Sequence, residues 1–203
     1  MRLRNDSNAW GWPARLIHWA MAVLIVFMLG LGAYMANFVD DIYARFDLVQ
    51  VHKSWGFAAF ALALLRVGWR LANPVSPAMP SEARAWERRA AAASHAGLYA
   101  LMFALPISGW LMASASTLQE TYGIRNMVFG LFALPDPFAP GSDALEKVFA
   151  DIHFASALAL AGLLGVHAGA ALAHHFVRRD DVLARMTLGG GTAAVPDADR
   201  PRP

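Results

Sequence analysis

The feature that most constrains this chain is a set of four apolar runs, about residues 16–38, 52–72, 92–114 and 150–177, each long enough to cross a bilayer as one helix. Backbone amides cannot be left unpaired in lipid, so the runs predict an all-α, transmembrane four-helix bundle. Composition agrees, with 57% hydrophobic and only 16% charged residues. Asn73 and Pro74 close the second run, and the proline-rich NPVSPAMPSEARAWERR leads into the third. The connection from about Ser116 to Phe149 is the longest. Its LPDPFAPGSD stretch is not expected to be helical, and its apolar NMVFGLF is expected on the membrane surface or against the bundle. The first run is longer than a signal-peptide core, so no cleavable leader is expected. Residues 1–186 are expected to form one membrane domain, followed by a low-complexity, disordered tail over 187–203.

Charge gives the direction of the runs. Arg2, Arg4 and Arg15 precede the first; Arg70, Arg84, Arg88 and Arg89 lie between the second and third; Arg178, Arg179 and Arg185 follow the fourth. The opposite side has Arg45, Lys53, Arg125 and Lys147, outnumbered by acidic residues from Asp40 to Asp151. The positive-inside rule therefore predicts both termini in the cytoplasm. These basic residues punctuate apolar runs and are not interleaved with exposed aromatics, so nucleic acid is not an expected partner; the lipid bilayer is. Cysteine is absent, which leaves histidine as the side chain for metal or redox chemistry.

Imidazole is costly to place among aliphatic side chains. His18 falls near the inner start of the first run, His52 at the outer start of the second, and His95 near the inner start of the third. His153 opens the fourth run from outside, and His167 lies fourteen residues deeper, close to four whole turns and roughly 21 Å along the axis. The two therefore share a face at two depths. His52 can meet His153 in the outer half; His18 or His95 can meet His167 in the inner half. Small residues such as Gly162, Gly165 and Gly169 leave room between helices for a flat macrocycle. One buried histidine reads equally well as a packed, hydrogen-bonded group. Four at matched depths on three helices read as two bis-histidyl haems, which have no open position for dioxygen and move single electrons.

Other readings remain at this level. A haem-free bundle would use the histidines to bind or transport metal ions, although no carboxylate lies within a turn of His18, His95 or His167. Proton relay is a further alternative, although the inner halves of the runs lack Asp and Glu. His174 and His175 read as interfacial anchors, with His174 two turns from His167 on a similar face. Arg66 lies fourteen residues after His52, inside the second run. It reads as snorkelling to the surface with Arg70 or as pairing with a haem propionate, two compatible roles, and Arg15 invites the second suggestion more weakly. The small-residue faces are compatible with a homodimer.

RLIHW on the first run, HKSWGFAAFALALLRVGWR on the second, HAGLYALMFALPISGWLM on the third and HFASALALAGLLGVHAGAALAHH on the fourth together resemble the prokaryotic cytochrome b561 family. Its relatives include the cytochrome b subunits of nickel hydrogenase and formate dehydrogenase. The likeness covers about residues 12–186. It implies a multi-pass protein of the bacterial inner (plasma) membrane, two b-type haems, and electron exchange with membrane quinone, ubiquinone or menaquinone. Carried over by position, it makes His52 and His153 the ligands of the outer haem and His18 and His167 those of the inner haem. His95 becomes a haem-packing or quinone-side residue, with His174 also near the quinone. The expected function is electron transfer between a periplasmic donor, a protein or superoxide, and the quinone pool. One branch is similar to a superoxide oxidase that passes electrons from superoxide to ubiquinone. That branch presents a basic residue about one turn before the outer ligand of the fourth helix. Here the position is Ala150, with Asp151 beside it.

Overall fold

The computed structural model describes residues 2–78 and 83–188. Four long helices carry the apolar runs: α1 (Trp12–Phe38), α2 (Ile42–Ala72), α3 (Ala85–Ala115) and α5 (Asp143–Ala173), the last prolonged by a π-helical turn over His174–Arg178. Three of them have 31 residues, about 46 Å of helix against a hydrocarbon layer of about 30 Å, so their ends project beyond it. Capping residues set these longer boundaries. Asp41 accepts a hydrogen bond from the Ala44 amide at 2.7 Å, Ser142 accepts from Leu145 at 3.4 Å, and Glu87 accepts from the Arg84 amide at 2.9 Å. Pro13 stands in the first turn of α1, where its missing N–H costs nothing.

The helices pack in chain order, α1 on α2, α2 on α3 and α3 on α5, while α1 and α5 are not closely packed on each other. Met21, Ala63 and Met102 form a buried core at mid-bundle, extended by Ile25, Leu62, Tyr99 and Phe103. Large apolar side chains such as Phe154, Leu158 and Val166 on α5 point outward, the arrangement of a bundle solvated by lipid.

The two ends of the bundle are finished differently. At the end where α1 begins, called the terminal end below, a six-residue helix, α6 (Val182–Thr187), folds back beneath α1. Arg15 donates to the Thr187 carbonyl at 2.9 Å, and the Trp19 indole donates to the Met186 carbonyl at 3.1 Å. Arg178 pairs through two nitrogens with Glu87, tying α5 to α3. Nearly all of the tail expected to be disordered lies outside the described residues, which stop at 188.

At the opposite end, the α3–α5 connection forms α4 (Thr117–Tyr122) and an antiparallel hairpin of β1 (Asn126–Val128) and β2 (Phe132–Leu134). NMVFGLF is thus a hairpin lying against α2, and LPDPFAPGSD is non-helical up to the start of α5. Its anchor is a buried polar joint. Asn126, with no exposed surface, donates to Asp136 Oδ1 at 2.7 Å and to Ser114 Oγ at 3.1 Å, and Ser114 donates to the same carboxylate oxygen at 2.9 Å. Asn126→Ala removes two hydrogen bonds from this joint while Ser114 and Asp136 keep each other, at a cost of about 1–3 kcal/mol. Thermal unfolding in detergent should show a lower midpoint; an unchanged midpoint would mean that this joint does not hold the hairpin.

Candidate functional site

The long helices bring histidines together in two layers. In the layer nearer the hairpin, His52 of α2 faces His153 of α5 with ring centroids 6.2 Å apart and planes at 74°. In the layer nearer the termini, His18 of α1 faces His167 of α5 at 6.3 Å and 52°. His95 of α3 approaches the same His167 ring at 5.4 Å. Fourteen residues of α5 separate His153 from His167, about 21 Å of helix.

These separations test the fit of an iron porphyrin. A coordinating imidazole nitrogen lies about 2 Å from the metal and about 1.1 Å from its ring centroid, so two axial imidazoles on one iron have centroids about 6.2 Å apart. The His52–His153 and His18–His167 pairs meet that spacing, whereas His95–His167 is too close by nearly 1 Å. Among the described residues, no three of His, Cys, Asp and Glu gather as a group that could hold a metal ion. Two imidazoles at this spacing fit a group that would bring its remaining donors itself, as a macrocycle does.

Polar neighbours distinguish the four rings. His153 Nδ1 lies 2.9 Å from the Leu105 carbonyl and 3.2 Å from Ser108 Oγ. A carbonyl only accepts, so Nδ1 carries the proton and Nε2 keeps its lone pair. His52 Nδ1 is buried with no hydrogen-bond partner. Gly109 lets α3 approach: a Cβ there would stand 3.1 Å from His153 Cε1, so the ring would have to give by a few tenths of an ångström.

At the other layer, Arg66 turns into the bundle. Its Nη2 is 3.0 Å from His18 Nδ1, its Nε donates to the Tyr99 hydroxyl at 3.3 Å, and its guanidinium carbon lies 5.5 Å from the Tyr99 ring centroid. Arg70 bonds to Ser76 and lies over Trp10, so the two arginines go separate ways. Arg15 reaches α6 instead of the histidines. His174 has its Nδ1 on the Asp180 carboxylate, at the turn that ends α5.

Tyr99, Ser108 and Leu105 were not among the residues singled out from the sequence. Tyr99 lies four residues after His95, one turn along the same face, which was a legible signal. The Leu105 carbonyl carried none, because every residue has one.

A four-helix membrane bundle holding two histidine pairs on facing helices is the architecture of a membrane cytochrome b. The family model for prokaryotic cytochrome b561 matches residues 9–189, and the chain belongs to that family. It is similar to cytochrome b561 homolog 2 of Escherichia coli (strain K12), 32% identical over 188 residues, covering 92% of this chain and 95% of the relative. Cytochrome b561 homolog 1 of the same organism is 30% identical over 140 residues, covering 68% of this chain and 73% of the relative. A probable superoxide oxidase CybB of Yersinia pestis is 28% identical over 177 residues, covering 84% and 90%. The chain is thus a bacterial membrane protein of an electron-transfer family whose members carry b-type haem.

Proposed function

We propose that this protein carries electrons across the bacterial inner membrane through two b-type haems, between a periplasmic donor and the membrane quinone pool, with both termini in the cytoplasm. His52 and His153 would hold the haem at the hairpin end, and His18 and His167 the haem at the terminal end. The observation that supports this most is the equal spacing of the two histidine pairs, 6.2 and 6.3 Å, on facing helices at two depths. When bound, each haem would supply a reversible one-electron couple.

The chain's own residues orient and tune the site. The Leu105 carbonyl holds the proton of His153 on Nδ1, which keeps the ring fixed and Nε2 basic. His18 starts from the other tautomer, because a guanidinium can only donate, so Nδ1 accepts from Arg66. To hold a haem through Nε2, His18 would carry its ring proton on Nδ1, where it would face Arg66 and that hydrogen bond would be lost. The guanidinium is then available to a carboxylate, the acceptor that a propionate provides. Arg66→Leu should weaken retention of the terminal-end haem roughly 10-fold or more and shift its midpoint potential, as loss of an outer-shell partner does. An unchanged redox titration would leave Arg66 a structural residue.

His95 is the remaining imidazole of the terminal-end layer and is placed here as the quinone-side residue, donating to a quinone carbonyl. His174, already engaged by Asp180, is the weaker candidate. The test is reduction by a soluble quinol in detergent, followed by absorbance. The b-type bands should grow on adding quinol, and a His95→Ala variant with its haem intact should respond several-fold more slowly. Bands that stay oxidised would remove the quinone from the account.

The Yersinia relative's name supports a second reading, superoxide:ubiquinone oxidoreductase activity. Two of the cations at this end are engaged: Lys147 pairs with Asp151 at 3.4 Å, and Lys53 reaches the Arg125 carbonyl and Asn126 Oδ1 at 3.5 Å. Reduction by enzymatically generated superoxide, abolished by superoxide dismutase, would establish that activity; no reduction would leave a protein donor.

A further inference from the structure

We propose that the β1–β2 hairpin is a membrane-interface anchor, which lays Phe129, Leu131 and Phe132 at the boundary between headgroups and acyl chains of the leaflet at its end of the bundle. Three observations carry this. The first is depth. Arg70 marks the terminal-end boundary of α2, and about twenty residues of helix cross the hydrocarbon layer, so the opposite boundary falls near Gln50. The hairpin turn sits against α2 there: the Phe129 amide donates to Ser54 Oγ at 3.0 Å, and the Phe129 ring meets Trp55 edge to face at 5.2 Å. A shallow groove of about 240 Å³ between Gln50, Val51, Ser54, Trp55 and Phe129–Gly130 runs along the same level.

The second is continuity with the lipid-facing surface of the bundle. Trp55 is exposed, and it packs on the exposed Phe27 of α1 at 6.0 Å, so Phe129 extends an aromatic strip that already faces lipid. Leu131 is 80% exposed and Phe132 54%, which water would penalise. The third is backbone satisfaction. An apolar boundary tolerates a turn only if its amides are paired. Here two of the three turn amides are taken, that of Phe129 by Ser54 and that of Leu131 by the Val128 carbonyl at 2.9 Å, the strands pair with each other, and the Gly130 amide at the tip alone has no protein partner among the described residues, which fits the hydrated headgroup side of the boundary. Phe129 has φ of 50°, a conformation costly for an aromatic residue, and that conformation presents its ring to Trp55. The polar joint at Asn126 and Asp136 holds the other end of the hairpin on α3.

The chain has no cysteine, so Leu131→Cys provides a single site for a nitroxide label, and the side chain's exposure makes the substitution harmless to packing. Power-saturation spectroscopy in phosphatidylcholine–phosphatidylglycerol vesicles compares relaxation by oxygen, which concentrates in lipid, with relaxation by a nickel chelate, which stays in water. Val166→Cys on the lipid face of α5 and Lys147→Cys on the exposed start of α5 set the two extremes. The label at 131 should give an oxygen-to-nickel ratio between the two references and well above that of 147, and Phe132→Cys should behave alike. A ratio equal to that of 147 would place the hairpin in water and overturn the proposal. Shielding from both reagents would also overturn it, since the surface would then be covered by protein.

Discussion

Replacing His153 by alanine should leave a protein that binds one haem instead of the two proposed. The residue is one of two imidazoles in the hairpin-end layer, 6.2 Å from His52, and its proton is held by the Leu105 carbonyl. Removing it would take away one of the two proposed ligands and leave His52, whose Nδ1 has no hydrogen-bond partner among the described residues, to hold the haem alone. The other layer lies about 21 Å along α5 and shares none of these contacts. The alpha band of reduced b-type haem should therefore fall by about half, and the surviving centre should titrate as one component. Loss of both haems would mean that the layers assemble as a unit; loss of neither would remove His153 from the ligand set.

The second large effect separates two candidates for one position. His18 and His95 both approach His167, at 6.3 and 5.4 Å between centroids, but only the first spacing matches two nitrogens on one iron. His18→Ala should abolish the terminal-end haem and spare the other. His95→Ala should keep about two haems per chain, with changed response to quinol. The reverse pattern would transfer the ligand role to His95 and free His18 for the quinone side. Spectra of the two variants, purified in parallel, decide it.

How much of this was legible beforehand depended on what each feature rests on. The four spans could be read because hydropathy over about twenty residues reports directly on lipid. Their helical ends could not, since α2 starts at Ile42 and α5 at Asp143, well before the apolar runs, where caps and local hydrogen bonds take over from hydrophobicity. The pairing of His52 with His153 followed from spacing and topology. Spacing alone left His18 and His95 open, and in the fold both approach His167, at 6.3 and 5.4 Å between centroids. The hairpin was hidden because NMVFGLF is apolar without a clear period and turns at Phe129, a residue type rarely found at positive φ. The joint of Ser114, Asn126 and Asp136 joins residues that no local pattern links. Arg66 posed the sharper question. Its position announced an anomaly, but only the fold places its guanidinium on His18 and Tyr99 and not beside Arg70 at the surface.

The account rests on two histidine pairs serving two haems, and its most direct test is stoichiometry. A pyridine haemochrome assay of the detergent-purified protein, with a dithionite-reduced minus oxidised spectrum, should give about two b-type haems per chain with low-spin bands. One haem per chain would contradict the two-layer assignment. None, after expression with ample haem, would contradict electron transfer through these histidines altogether.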